Sequence, residues 1–301
     1  MTTQEPASMK DSMPALPLLS APVIALACLA GSSLLAGSAA AARPYGPGTS
    51  SAAAHMASTA AMTCQALSPG HTVALLELFT SQGCSSCPPA DRWLQSLKAK
   101  GVGLDKVVPL SLHIDIWDSP GWKDPYAQAR FTERQREHVR QRRAASVYTP
   151  QVVLAGAKTR DWGDAALSRT LKVLSGKPAP VRISLEGSAV GSAVRIRADT
   201  QWLSSPPPSD PGSGAAPQLQ LIVFESALKN PVTGGENSGA SLTHDHVVRH
   251  WLGPRPLGPG KASVSEIVSL AEPASRRTLG VAGFVQSAQG DVLQATACVM
   301  E

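Results

Sequence analysis

Cys84 and Cys87, three positions apart, are the residues best suited by type and spacing to do chemistry. When a C-x-x-C pair opens a helix, the second sulfur lies one turn from the first and can attack a mixed disulfide formed there. Unpaired backbone N–H groups and the positive end of the helix dipole lower the pKa of a thiol in that place. Cys84 therefore reads as nucleophile and Cys87 as resolving thiol. Half a zinc site has the same spacing, but zinc needs two further ligands and the chain has no second C-x-x-C. His244, His246 and His250 combine a strand-like with a helix-like spacing that one segment cannot hold throughout, so neither a metal nor another cofactor is expected.

Other side chains are candidates to support the sulfur pair. Glu77 sits in an apolar run seven positions before Cys84. Buried beneath the cysteines it would have a raised pKa and accept the proton of Cys87; facing an edge it would be an ordinary solvated carboxylate. His113 and Asp115 end a second apolar run, where the sites of parallel sheets gather. His113 is either a partner for the Cys84 thiolate or a satisfied structural histidine. With Trp117 and Trp122 these residues would border the site and contact substrate, the tryptophans having core packing as their alternative.

The elements that must position these residues follow from pattern. Val73–Phe79 is a short apolar run of the buried parallel-strand kind. Ala90, Trp93, Leu94 and Leu97 recur at helical spacing. Pro88 and Pro89 are acceptable only in a first turn, so the helix is expected to start near Ser85 or Ser86. A strand through Val107–Ile114, a charged helix around Ala127–Arg143, a proline-led strand over Val147–Leu154 and a helix near Asp164–Leu174 complete an alternating α/β half. Beyond Pro180 the pattern turns to hairpins over 181–198 and 279–299, with strands at 219–225 and 262–270. The expected architecture is an α/β domain over 71–178, with a helical insertion at 116–146, and a smaller, mostly antiparallel β domain over 179–301.

The chain has 301 residues, 16% of them charged and 43% hydrophobic, with a net charge of +5. Disordered and collagen-like classes are excluded. Residues 12–42 carry no charge and end in small residues, the pattern of a secretory signal peptide; 43–70 read as a flexible tether. The expected location is periplasmic or secreted, an oxidising compartment, with no membrane attachment once the signal is removed; a retained anchor, which Pro14, Pro17 and Pro22 weaken, and lipid attachment at Cys28 are the alternatives. Cys28 leaves with the signal, and an even four cysteines remain. Cys64 and Cys298, near the two ends of the mature chain, are expected to form a structural disulfide; free thiols are the alternative, since spacing does not show that their Cα atoms approach. Lys123–Arg143 holds much of the positive charge, but without stacking aromatics it reads as a solvated helix face, and nucleic acid is not expected as a partner.

Strand, C-x-x-C, helix and a later Thr149-Pro150 opening a strand resemble the thioredoxin fold. That resemblance implies a cis Pro150 facing the sulfurs, Thr149 beside it as part of the substrate contact, and a buried acid in the place of Glu77. The segments Glu77–Asp91, His113–Asp118, Gly121–Pro125, Phe131–Gln135, Tyr148–Gln151, Gly235–Gly239 and Val247–Arg249 resemble a family of secreted thioredoxin-like proteins known only as domain of unknown function 1223. The resemblance covers roughly residues 72–300 and implies a thioredoxin-like first domain without naming a substrate. The function expected is thiol–disulfide exchange on protein or small-molecule thiols and disulfides. A binding module with an inert C-x-x-C disulfide and a carrier of a soft ion such as Cu(I) are the alternatives.

Overall fold

The computed structural model describes residues 61–119, 121–141, 146–159, 162–209, 215–271 and 278–301. The expected signal-peptide segment 1–42 and residues 43–60 of the expected tether lie outside them. The end of that tether is not coil: Met62–Leu67 is strand β1. Strand β2 (Ala74–Thr80) leads through the C-x-x-C turn into helix α1 (Pro88–Ser96), and β3 (Val107–His113) follows. After α2 (Ala129–Gln141) come β4 (Gln151–Leu154), β5 (Ala157–Thr159) and α3 (Asp164–Ser175). The rest is strand: β6 (Val181–Val190), β7 (Ala193–Trp202), β8 (Gln218–Ser226), β9 (Leu228–Pro231), β10 (Ser241–His244), β11 (Val247–Pro256), β12 (Lys261–Ser269), β13 (Thr278–Gln286) and β14 (Val292–Val299).

These strands do not divide into a thioredoxin-like α/β domain and a smaller β domain. Eight of them form one mixed sheet in the order β14-β13-β8-β11-β3-β2-β4-β5, drawing on both halves of the chain. Four more, β1-β6-β7-β12, form an antiparallel second sheet, and β9 and β10 pair as a hairpin. The molecule is thus β-rich, with three α-helices among the described residues. The alternating pattern of the first half is real but local: β2 and β3 are parallel, Thr80 opposite His113, while β4 joins β2 antiparallel. The halves meet where β11 runs parallel to β3, with Val247 opposite Ser111 and the Ser111 N–H donating to the His246 carbonyl at 2.8 Å.

Burial explains this merger. Every residue of β2 and β3 is buried, so both faces of these strands need cover. Along β2, successive side chains alternate between faces. Leu76 and Leu78 pack with Trp93 and Leu94 of α1 and Leu167 of α3. Leu75 and Phe79 pack in a cluster with Phe131 of α2 and with Phe224, Val248, Trp251 and Phe284 from the second half. A separate core between the two sheets holds Ile183, Leu185, Leu219, Leu221 and Val281. Strand β6, buried at every second residue, shows the one-sided pattern of a covering sheet.

Cys64 and Cys298 are disulfide-bonded, their Cα atoms 5.8 Å apart, joining β1 to β14. Opposite Cys64 stands Gly187 of β6, where a Cβ would come within 3.1 Å of the Cys64 sulfur and 2.8 Å of Val281.

Candidate functional site

Cys84 and Cys87 form a disulfide in the turn between β2 and α1. Helix α1 starts later than its pattern predicts. Cys87 is the N-cap, and Pro88 and Pro89 occupy the first two helical positions. Neither proline has an N–H to offer, and none is needed there, since the first N–H groups of a helix have no intrahelical acceptor. Cys84 consequently sits in the preceding turn, with its N–H on the Ser81 carbonyl and its own carbonyl accepting from the Cys87 N–H, both at 3.2 Å.

The strand that faces this turn is led by Thr149-Pro150, whose peptide bond is cis. Ser86 Oγ lies 3.3 Å from Cys84 Sγ and donates to the Thr149 carbonyl at 3.4 Å. Trp117 Nε1 donates to Thr149 Oγ1 at 2.7 Å, while the Trp117 ring remains more than a third exposed. Ile116 and Tyr148 are similarly exposed. Trp122, in contrast, supports the turn between β9 and β10, packing under Gly234 and Gly235. Asp115 turns toward α2, where Thr132 Oγ1 donates to its carboxylate, and takes no place at the sulfurs.

Below the disulfide lies a buried polar network built around Gln82, a residue with no role in the sequence reading. Asp124 Oδ2 accepts from the Gln82 N–H at 2.8 Å and pairs with His113 Nδ1 at 2.7 Å. His113 is therefore engaged with Asp124. The Gln82 side chain accepts from Asn230 Nδ2 at 2.8 Å and meets His244 Nε2 at 3.2 Å. The amide nitrogen of Gln82 is a donor, so His244 Nε2 accepts and its Nδ1 carries the proton, toward Asp91 Oδ2 3.8 Å away. Burial, with His113 nearby, pushes His244 down to about 3, which keeps it neutral. Burial would raise Asp124, but His113 and the N–H groups of Gln82 and Tyr126 outweigh it and hold the carboxyl below its usual range.

Two buried acids have opposite environments. Glu77 is fully buried, but it shares the face of Leu75 and Phe79 and so points toward α2, away from the α1 face of β2. There Arg134 and His138 bind both its oxygens; burial pushes its pKa up, and the Arg134 guanidinium with the His138 ring takes it down to about 2. Its environment is the reverse of the raised pKa that the proton-acceptor role requires. Asp91 lies one helical turn after Cys87 on α1, accepts from Thr80 Oγ1 at 3.2 Å and is pushed up to about 6 by burial, against the opposing pull of His113. Asp91 Oδ1 has no hydrogen-bond partner and borders a cavity of about 210 Å³ between α1 and β10, lined also by Pro88, Gln95, Thr243 and His244.

His244, His246 and His250 do not converge. His246 stacks on Phe224, 5.2 Å between ring centroids, and among the described residues no group of three or more metal-ligating side chains is assembled. Gln82, Asp91, Asp124, Glu236 and Asn237 lie in segments that carry the family resemblance but had no role assigned from sequence, and Asn230 lies outside those segments. Asp91, four positions beyond Cys87, carried a legible signal, since helical spacing places it on the same side of α1.

The family described as "Protein of unknown function (DUF1223)" matches residues 75–286. None of the curated proteins matches. Among solved structures, protein AGR_C_4864 from Agrobacterium tumefaciens is 26% identical, with a TM-score of 0.51 over 77% of this chain and 96% of that one. HBP35 of Porphyromonas gingivalis is 13% identical, with a TM-score of 0.53 over 77% of this chain and 76% of the other, a likeness of fold alone.

Proposed function

Starting from a chain that belongs to the DUF1223 family, whose function is unknown, we propose that it is an exported thiol–disulfide oxidoreductase working through Cys84 and Cys87. The observation that carries this reading is the Cys84–Cys87 disulfide at the head of α1, with Ser86 Oγ between Cys84 Sγ and the Thr149 carbonyl. Partners of this chemistry are polypeptide or small-molecule thiols and disulfides, and the exposed Trp117 and Tyr148 suit an apolar stretch beside the reacting cysteine. Among the described residues no helix is long and apolar enough to cross a membrane.

In the reducing direction the Cys84 thiolate attacks a substrate disulfide, forming a mixed disulfide and expelling one substrate thiolate. Cys87 then loses its proton and attacks Cys84 Sγ. The Cys84–Cys87 bond forms, the second substrate sulfur leaves, and the substrate gains two electrons that the dithiol gives up. Oxidation of a substrate dithiol runs through the same steps backward. Asp91 is the acceptor for the Cys87 proton in this scheme. It is one turn along the same helix, its pKa is raised to about 6, and it lies among the residues lining the cavity between α1 and β10.

A second reading, an inert disulfide in a binding module, is favoured by one observation: Cys84 is 1% exposed and Cys87 not at all. The reduction potential of the pair, measured against a glutathione series with Cys64 and Cys298 replaced by serine, separates the two. A potential within the oxidoreductase range, with Cys84 alone alkylating at neutral pH, is the expected result. A value far below roughly −300 mV makes the pair a structural staple and ends the enzyme reading.

A further inference from the structure

Ser85 and Ser86 are exposed beside the buried Cys84, and the turn between β9 and β10 is bonded to the backbone on both sides of that cysteine. Glu236 Oε2 accepts from the Ser85 N–H at 2.8 Å, and Asn237 Nδ2 donates to the carbonyls of Gln82 and Cys84, both at 2.9 Å. Close approach is built into this turn. A Cβ on Gly234 would stand 2.1 Å from the Gly121 carbonyl oxygen, and Gly235, at φ +73°, lies over Gly83 and Trp122.

The Glu236 contact has an electrostatic meaning that depends on the state of the sulfurs. A thiolate on Cys84 needs nearby N–H donors. Pro88 and Pro89 contribute none, and the Cys87 N–H already serves the Cys84 carbonyl. The Ser86 hydroxyl, 3.3 Å from Cys84 Sγ, is engaged with the Thr149 carbonyl, and the Ser85 N–H, next along the chain from Cys84, is occupied by a carboxylate. Over a neutral disulfide that carboxylate is unopposed; over a thiolate it meets a like charge. The other ionisable groups around the turn lie on its buried side: Asp124 with His113 on Gln82, His244 on the Gln82 side chain, and Asp91 below Cys87.

We propose that Glu236 and Asn237 form a redox-responsive latch, closed over the Cys84–Cys87 disulfide and released when a thiolate on Cys84 competes with Glu236 for the Ser85 N–H. The proposal rests on the reading that this pair cycles. Reduction by a dithiol supplies the trigger: the dithiol loses two electrons and closes to a disulfide, the Cys84–Cys87 bond breaks, Cys84 is left as thiolate and Cys87 takes up a proton. The open latch then exposes Cys84 beside Thr149 and Trp117, and reoxidation closes it.

The test compares the oxidised protein with its Glu236→Gln, Glu236→Asp and Asn237→Ala variants. Two readouts serve: the rate of reduction by dithiothreitol, and the pH dependence of Cys84 alkylation by iodoacetamide in the reduced protein. Glu236→Gln is expected to reduce roughly fivefold faster, as loss of a charge-assisted hydrogen bond implies, and to move the alkylation midpoint to lower pH. Glu236→Asp, which keeps the charge, restores the midpoint. Asn237→Ala accelerates reduction without moving it. Wild-type behaviour in both Glu236→Gln and Asn237→Ala overturns the latch, and if Glu236→Gln does not fold, the reduction rate of Asn237→Ala decides. Faster reduction in the variants of a protein that turns over no disulfide substrate ends the oxidoreductase reading and leaves the latch standing.

Discussion

The two buried acids make the sharpest predictions at the scale of single residues. Asp91 has its folded-state pKa raised from 3.8 to about 6, so the folded protein holds that proton more tightly than the unfolded chain. Stability is lost as pH rises between these values. Asp91→Asn is therefore expected to stabilise the protein by on the order of 3 kcal/mol at pH 8 and by little below pH 4, read by urea denaturation at both pH values. The same variant is expected to slow resolution of a mixed disulfide by about 100-fold at pH 8, since a positioned base is gone. Glu77 has the opposite sign. Its pKa is depressed from 4.5 to about 2, so its contribution is present above pH 4.5 and fades as pH falls toward 2. Glu77→Gln leaves the part-buried Arg134 without its carboxylate and is expected to cost about 3 kcal/mol at pH 7, with little change in the pH profile of resolution. Sequence alone makes Glu77 conspicuous, because a carboxylate interrupts an apolar run. Its partners, Arg134 and His138, lie more than 50 residues away, and no local pattern assigns them. The two-residue alternation of β2 does separate Glu77 from Thr80, which reaches Asp91, and that much was readable.

Among the elements, the first turn of α1 shows how far local rules reach. Two prolines limit where a helix can begin and point to a start near Ser85 or Ser86; Cys87 as N-cap puts the start just beyond that. The hairpin β9–β10 is the opposite case. Its strand Ser241–His244 follows a glycine-rich stretch with no strand pattern, and the turn's role comes from bonds to Gln82, Cys84 and Ser85 about 150 residues earlier. In the second sheet, β6 approaches the Cys64–Cys298 bridge through Gly187. Gly187→Val is expected to cost about 2 kcal/mol through overpacking against Val281 and the bridge. A thiol count without reductant should also find Cys64 and Cys298 partly free.

For the whole molecule, the continuous eight-stranded sheet and its shared core determine how it unfolds. Val108, Leu110 and Phe131 from the first half pack in one cluster with Phe224, Trp251 and Phe284 from the second. Calorimetry is expected to give one transition, and a fragment of residues 61–178 is expected to lack fixed tertiary structure, read as loss of near-ultraviolet circular dichroism. Two transitions, or a folded fragment, would mean that the halves are separate domains after all. Strand periodicity located most of the strands of this sheet, but not their order, because the β3–β11 junction is a pairing between segments some 136 residues apart that neither segment encodes by itself. The Cys64–Cys298 bridge adds a property of a different kind. Residues 64 to 298 form a covalent ring, with Thr63 and Glu301 exchanging backbone hydrogen bonds just outside it. A single protease cut anywhere within that ring releases nothing: the nicked protein migrates as one band until reductant is added, and only then as two.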